Sequence, residues 1–431
     1  MSIFKRMAEE PTPLLLISDA ISAKSGLARI ARDLATRINA NLSDVYRINT
    51  AGHAGSGSSK FGFNQYHLEG VQSDWVLPTL PMIVDDFAGE DRCIVLFIWD
   101  PNRLGWFAQP ERARRDMLLN YPGMNEWLTK ANIERWIYCP LDAAGPNDKL
   151  DLSLGLTLLG FDRILAYGPF GEAVIRRTIG DVEADKRHLT WLPHGIDGDT
   201  FFELDRKLCR RLFTKRTGAQ IIHALYDPKT HTTSPLEDDE IVIGIVATNQ
   251  SRKDWHLGIE TCAILARERK IRIWIHTDSL ERAWSIVSLL ADYNLFGREL
   301  VSLGLLPDKT MAEAYSACDL TLGIGPEGFG YPLAESMFCG TPVVTGSYAG
   351  GADVVPQEWR VDPIGFRYEG SFASKRPVYK AADWAAKANE LIGKRCNDSH
   401  RYEWRENWKL WEHWFRAAAK NGGKEPSDHA Q

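Results

Sequence analysis

Two glutamates stand eight positions apart in GIGPEGFGYPLAESMFCGTPVV, residues 323–344. A carboxylate accepts a hydrogen bond from each hydroxyl of a diol, and charge-assisted bonds are the stronger kind. One glutamate on sugar hydroxyls and the other on a ribose would span a nucleotide sugar. Between them, Gly328 and Gly330 allow a ligand close to the backbone. The helix that opens near Pro332 offers free N–H groups and a favourable dipole to a diphosphate or a sugar oxygen. A second cluster lies in IVATNQSRKDWH. Arg252 and Lys253 follow a strand-like run; a lone pair of cations is ordinarily a solvated surface feature.

These residues need elements to hold them. LLLI at 14–17 is followed by Ser25-Gly26 and then LARIARDLATRI, whose apolar positions recur at helical spacing. This reads as strand, glycine loop, helix, with Gly26 in the loop. Further strand-like runs occur at 94–99, 136–139, 163–167 and 189–192. Residues 203–240 interrupt the rhythm with proline, threonine and charge runs and read as a linker plus a surface excursion. A second alternating series follows, through EIVIGIVATN, IRIWIHT, ELVSLG, DLTLGIG and TPVVTG, with helical segments between. Alternating strands and helices imply parallel sheets covered on both faces. The expected architecture is α/β, two Rossmann-like doubly wound domains facing a cleft, in which ligands sit at the carboxyl ends of strands. The expected domains are residues 1–200, a linker at 201–240, and residues 241–400. Trp404, Trp408, Trp411, Trp414 and Phe415 fall largely on one side of a helix at 402–420. That stripe invites a base-stacking reading, but packing of an aromatic face onto a domain is the expectation. The tail at 421–431 reads as disordered.

A chain of 431 residues exceeds the size at which single cores stop growing, about 250–300 residues. Its net charge of −6 argues against a general nucleic-acid coat protein. Apolar runs are short against the about 20 residues of a membrane span, so no transmembrane segment is expected, and the N-terminus lacks a signal-peptide pattern. Seven cysteines without a C-x-x-C pair read as buried thiols of a reducing compartment. The expected location is the cytoplasm. No oligomeric state follows from the sequence.

The segment around Glu327 resembles the signature of the retaining glycosyltransferases of family 4, which have the two-domain GT-B fold: E-G-F-G-x-P-x-x-E, then G-x-P-V-V. Glu327, Gly328, Phe329, Gly330, Pro332, Glu335, Gly340, Pro342, Val343 and Val344 match. LVSLGLLPDKTMAEAYSACDLTL is similar to the segment before that signature, and LTWLPHGIDGDTFF at 189–202 to the P-N-G-V-D-x-x-x-F end of the first domain. His194 stands where asparagine is commoner. The resemblance fades before about residue 130. It implies that Glu335 holds the donor ribose, that Glu327 contacts the transferred sugar, that the backbone amides from Gly328 through Phe329 and Gly330 to Tyr331 hold the sugar and the diphosphate, and that Gly26 faces the diphosphate and acceptor. It further implies transfer of a hexosyl or pentosyl group with retention and no obligatory metal or cofactor. The donor would be a UDP-sugar first and a GDP-sugar second.

Two departures stand out. The family's G-R-L-x-x-x-K-G pattern places an arginine five residues before the lysine. Lys253 fits the lysine, but Thr248 occupies the arginine position, and Arg252 is the candidate replacement. The resemblance implies that these cations stabilise the charge on a leaving diphosphate. The family's histidine near the cleft has no counterpart in LFIWDPNRLGW. Asp100 is the candidate there, acting on the acceptor hydroxyl, although an N-cap or turn role fits equally. Asp142 in YCPLDAAGP is a further acceptor-side candidate. Asp197-Gly198-Asp199 spells a metal motif of another glycosyltransferase fold but overlaps the end-of-domain segment. Glu327 and Glu335 sit on one loop-helix unit, unlike the facing carboxyls of a hydrolase. The acceptor remains open between a glycan, a small molecule and a modified DNA base. For the last, ARRDMLLNY, RKLCRRLFTKRTG and WRENWKLWEHWFR would supply a basic, aromatic surface. An epimerase, a phosphorylase or an inactive sugar-nucleotide-binding subunit of the same fold are the rival functions.

Overall fold

The computed structural model describes residues 10–23, 25–53, 61–68, 79–105, 132–222, 236–396 and 400–420. Strands β1 (Thr12–Asp19), β2 (Tyr46–His53), β3 (Gln65–His67), β4 (Cys93–Phe97), β5 (Ile133–Cys139), β6 (Arg163–Ala166) and β7 (Thr190–Trp191) form one parallel sheet, ordered β3-β2-β1-β4-β5-β6-β7. Strands β8 (Ile241–Val246), β9 (Ile271–Thr277), β10 (Glu299–Leu303), β11 (Leu320–Gly323), β12 (Val343–Gly346) and β13 (Arg360–Val361) form a second, ordered β10-β9-β8-β11-β12-β13. Both are doubly wound, as the strand-helix alternation implies, and each reverses its strand order beside its first strand. Such reversals open the crevices in which ligands bind.

The runs of Leu, Ile and Val in β1, β4, β8 and β9 are buried on both faces, as parallel sheets require. Separate apolar clusters cover the outer faces of the two sheets, and a third runs continuously from the first half to the second through Tyr138, Phe329 and Tyr402.

Helix α1 (Gly26–Asn41) follows β1. Ser25 caps it by accepting a hydrogen bond from the Ala28 amide at 3.1 Å. Residues 201–240, read from sequence as linker and surface excursion, contain helix α2 (Arg206–Thr217), which buries Cys209, Arg210 and Phe213. Arg210 satisfies its donors on Ala317 O, Glu240 O and Asp319 and is internal, whereas Lys207, Arg211, Lys215 and Arg216 of the same helix face outward. Residues 223–235 of the same stretch lie outside the described residues, as do ARRDMLLNY and the tail at 421–431.

Helix α3 (Tyr331–Phe338) follows β11, and helix α4 (Trp404–Lys420) ends the described chain. All five rings of the α4 stripe are buried. Trp411 donates to Pro193 O at 2.9 Å, Trp404 to Asp33 at 3.0 Å, and Trp136 on β5 meets Trp414 edge-on at 5.0 Å. The stripe is a packing face on the first sheet, with no ring left for base stacking.

A hairpin beyond the second sheet was also not read from the sequence. Strands β14 (Gly365–Glu369) and β15 (Ser374–Val378) form an antiparallel hairpin after the second sheet. It reaches the first half: the Lys375 amide donates to Ala144 O at 2.7 Å, and Lys375 Nζ lies 2.5 Å from Asp148.

Candidate functional site

The loop from β11 to α3 carries both glutamates to the gap between the sheets. Gly330 opens α3 with a φ of +95°, and a Cβ there would sit 2.8 Å from Leu333 Cδ1. Only glycine adopts that conformation without strain. Phe329 is buried, its ring 3.9 Å from that of His194 and 5.5 Å from that of Tyr402, so it pins the loop by packing. Gly328 approaches Pro140, Leu141 and Tyr167 of the first half. From behind, the Gly350 amide donates to Glu327 O at 2.8 Å, and a Cβ on Gly350 would lie 1.9 Å from Gly328 O. Gly350 is therefore a second obligatory glycine of this loop, outside the stretch that sequence reading singled out.

Glu335, 6% exposed, receives a hydrogen bond from Tyr315 Oη at 3.1 Å and an ion pair from Arg29 on α1, across the gap. The Arg29 guanidinium also lies 4.6 Å from the Tyr331 ring centroid and 5.2 Å from that of Phe201. Burial is the largest single influence and disfavours its charge, but Glu335 together with Tyr331, Asp308 and Asp33 outweighs it and holds the Arg29 pKa above its ordinary value. Gly26 at the start of α1 lies opposite Tyr331, and a Cβ on it would stand 3.9 Å from that ring. Neither Arg29 nor Tyr315 was singled out in the sequence. The only signal for Arg29 was its place one turn beyond Gly26.

At the other end of the loop, Lys253 donates to Glu327. Lys253 is 3% exposed, and burial lowers its pKa against the opposing pull of Glu327. Gly325 permits this course, since a Cβ there would lie 3.0 Å from Lys253 Cδ. Arg252 turns the other way. Its Nε meets Asp142 of the first half at 3.0 Å, and Asp142 also accepts from Arg376 of the hairpin at 3.4 Å. Asp100 makes no side-chain cap to the turn it precedes. Burial first, then the neighbouring Asp142, push its pKa up to about 6. Asp100 and Asp142 line a cavity of about 550 Å³, counting its open mouth, together with Asn102, Asp151 and the hairpin residues Phe372 and Ser374.

Thus Lys253, Glu327, Arg252 and Asp142 come together, Asp100 joins them through the cavity, and Glu335 stands apart with Arg29. His194 is fully buried beside this loop. Tyr138 donates to Leu192 O at 2.6 Å, so its oxygen receives the proton of His194 Nδ1 at 2.9 Å. Burial, reinforced by Arg29, keeps the imidazole neutral, with its pKa well below the usual value. Asp197 of the D-x-D sequence is engaged locally, accepting from the Asp199 amide at 3.1 Å and from Thr200 Oγ1 at 2.7 Å.

No protein-family model matches this chain, and no curated protein matches it. Solved structures do. A sucrose-phosphate synthase from Thermosynechococcus elongatus aligns over 94% of this chain and 98% of its own, with a TM-score of 0.65 at 14% identity. Anabaena HepE, solved with UDP and glucose, aligns over 94% and 99% with a TM-score of 0.64 at 12% identity. A UDP-forming α,α-trehalose-phosphate synthase from Burkholderia xenovorans aligns over 96% and 100% with a TM-score of 0.60 at 12% identity. The likeness shows a shared fold, the two-sheet GT-B arrangement.

Proposed function

We propose that this chain is a retaining glycosyltransferase that moves a sugar from a nucleotide-sugar donor, a UDP-sugar in preference to a GDP-sugar, to an acceptor hydroxyl. The observation that carries the reading is the pairing of Lys253 with Glu327 on the loop that also presents Glu335, at the gap between two doubly wound sheets. The UDP bound by HepE, which shares the fold, supports the choice of nucleotide.

In this reading Glu335 receives the ribose hydroxyls, which take the place of Arg29. The released guanidinium turns to the diphosphate and supplies the cation missing at Thr248. Lys253 serves the same diphosphate, while Glu327 reads sugar hydroxyls near the reacting carbon. The bond from the anomeric carbon to the diphosphate breaks, the acceptor oxygen attacks from the same face, and its proton passes to the departing phosphate oxygen. Charge then builds on the diphosphate where Lys253 and Arg29 stand, which is the stage at which preorganised cations lower a barrier most. Asp100 and Asp142 orient the acceptor from the first half. No step requires a metal ion or cofactor.

The acceptor is a small molecule or glycan in this reading. Of the tracts that would have formed a DNA-binding surface, α2 has Arg206 and Arg210 paired with Asp319 and Arg216 with Glu313, which leaves Lys207, Arg211 and Lys215 as its other exposed cations. Arg405, Lys409 and Arg416 of α4 each have acidic partners.

The test is a thermal-shift panel of UDP, GDP and their sugars, followed by NMR of the product. Stabilisation by UDP and an unchanged anomeric configuration are expected. Failure to bind any nucleotide would refute the donor site, and inversion would refute the mechanism.

A further inference from the structure

The hairpin β14–β15 places two like charges face to face. Arg367 and Arg376 are directly opposed cross-strand partners, an arrangement that is destabilising in the absence of a counter-ion. Both line a cavity of about 410 Å³, counting its open mouth, into which Arg252 also projects. Arg252 Nη1 is buried there with no hydrogen-bond partner among the described residues.

The acids nearby do not account for this concentration of positive charge. Asp142 is shared by Arg252 and Arg376, and Glu369 takes Arg376 Nε at 3.0 Å. Asp254, on the wall of the same cavity, accepts from the Leu257 amide at 3.0 Å and so caps a helix. Among the described residues, no acid pairs with Arg367. Gly325 and Pro326, immediately before Glu327, form another wall. The acceptor-side cavity adjoins through the Asp142–Arg376 contact.

We propose that the hairpin is an acceptor-recognition arm, and that Arg367 and Arg376 with Arg252 receive the phosphate of a small phosphorylated acceptor. This rests on the glycosyltransferase reading and names the acceptor's class. A phosphate monoester offers up to two negative charges and several acceptor oxygens, which suits three converging guanidinium groups. Its remaining hydroxyls extend past Asp142 toward Asp100, bringing one of them to the donor sugar held at Glu327. A small phosphate is favoured over a polymer's phosphates because Arg376 is 13% exposed and Arg252 Nη1 is buried, and because the chain's net charge of −6 opposes a polyanion.

Titration calorimetry of the whole chain with UDP, glucose, inorganic phosphate, glucose 6-phosphate and a DNA duplex tests this at fixed ionic strength. Inorganic phosphate and glucose 6-phosphate should bind, and glucose should bind at least about tenfold more weakly than its phosphate, as expected for loss of charge-assisted hydrogen bonds. Arg367→Gln, at an exposed position with no acidic partner among the described residues, should weaken both phosphate ligands about tenfold and leave UDP affinity within about twofold. Arg376→Gln should do the same or more. Absence of phosphate binding in the wild type, or equal binding in Arg367→Gln, overturns the proposal. DNA binding that depends on Arg367 while the small phosphates fail to bind also overturns it. If UDP binds and the phosphates do not, only this inference falls; if UDP does not bind, the donor reading falls with it.

Discussion

Two of the ion-pair bridges across the gap between the two sheets are built differently. Arg29–Glu335 is sealed, with side chains 15% and 8% exposed and aromatic rings around the guanidinium. The bridge from Asp142 to Arg252 and Arg376 is wetter, with Asp142 and Arg252 each 30% exposed. Separating a buried pair leaves a desolvated charge without a partner, whereas an exposed pair loses little because water and salt replace it. The contrast teaches that the Glu335 end of the cleft has a stiff latch and the Asp142 end a yielding one; in the proposed function these are the donor and acceptor ends. A ligand that supplies its own hydroxyls to Glu335 is therefore the natural key to the stiff end.

The largest expected effect tests that contrast directly. Arg29→Ala should cost about 3–5 kcal/mol of unfolding free energy by leaving Glu335 buried and unpaired. Adding Glu335→Gln should recover much of the loss in the same denaturant titration. If Arg29→Ala is as stable as the wild type, the donor end is not the stiff one.

Next comes Lys253→Ala, which should reduce kcat/KM about 10²–10³-fold, the scale found when one transition-state donor is removed. A companion Glu335→Ala should act mainly through donor KM. Wild-type kinetics in both variants would remove the site assignment.

At the acceptor end, Asp142→Asn should change stability by no more than about 1 kcal/mol while raising acceptor KM with donor KM unchanged. A loss comparable to that of Arg29→Ala would erase the distinction between the two bridges.

The smallest effect is a pH dependence. The Asp100 pKa is raised from 3.8 to about 6, so the folded state binds its proton more tightly than the unfolded chain. This group therefore lowers stability progressively as pH rises from 3.8 to about 6. Activity that needs its carboxylate should rise through pH about 6. Asp100→Asn should abolish that limb and melt at a higher temperature than the wild type at about pH 7. A limb that persists in the variant would exclude Asp100 from the acceptor step.

How much of this was legible beforehand depends on whether the signal is local. The runs at 14–17, 94–99 and 271–277 were readable as strands because both faces of a parallel sheet are buried, which demands unbroken apolar residues. β2 was not readable. Its Asn49-Thr50-Ala51-Gly52 is buried but small and polar, and a Cβ on Gly52 would lie 2.4 Å from the Ala20 backbone. The hairpin had no repeated apolar pattern, because it meets the first half through the charges of Lys375 and Arg376, which pair with Asp148 and Asp142.

The sequence by itself determined the alternating architecture and the loop of glycines with a glutamate at each end, since strand burial and left-handed backbone leave marks within a few residues. Tertiary structure alone decided that Arg29 closes on Glu335, 306 positions away, that Arg252 faces Asp142 while its neighbour Lys253 faces Glu327, and that Arg367 and Arg376 share a cavity. Ion pairs across a cleft leave no periodicity in the chain. Their partners are fixed by how two sheets stack, and only folding brings those charges within reach of one another.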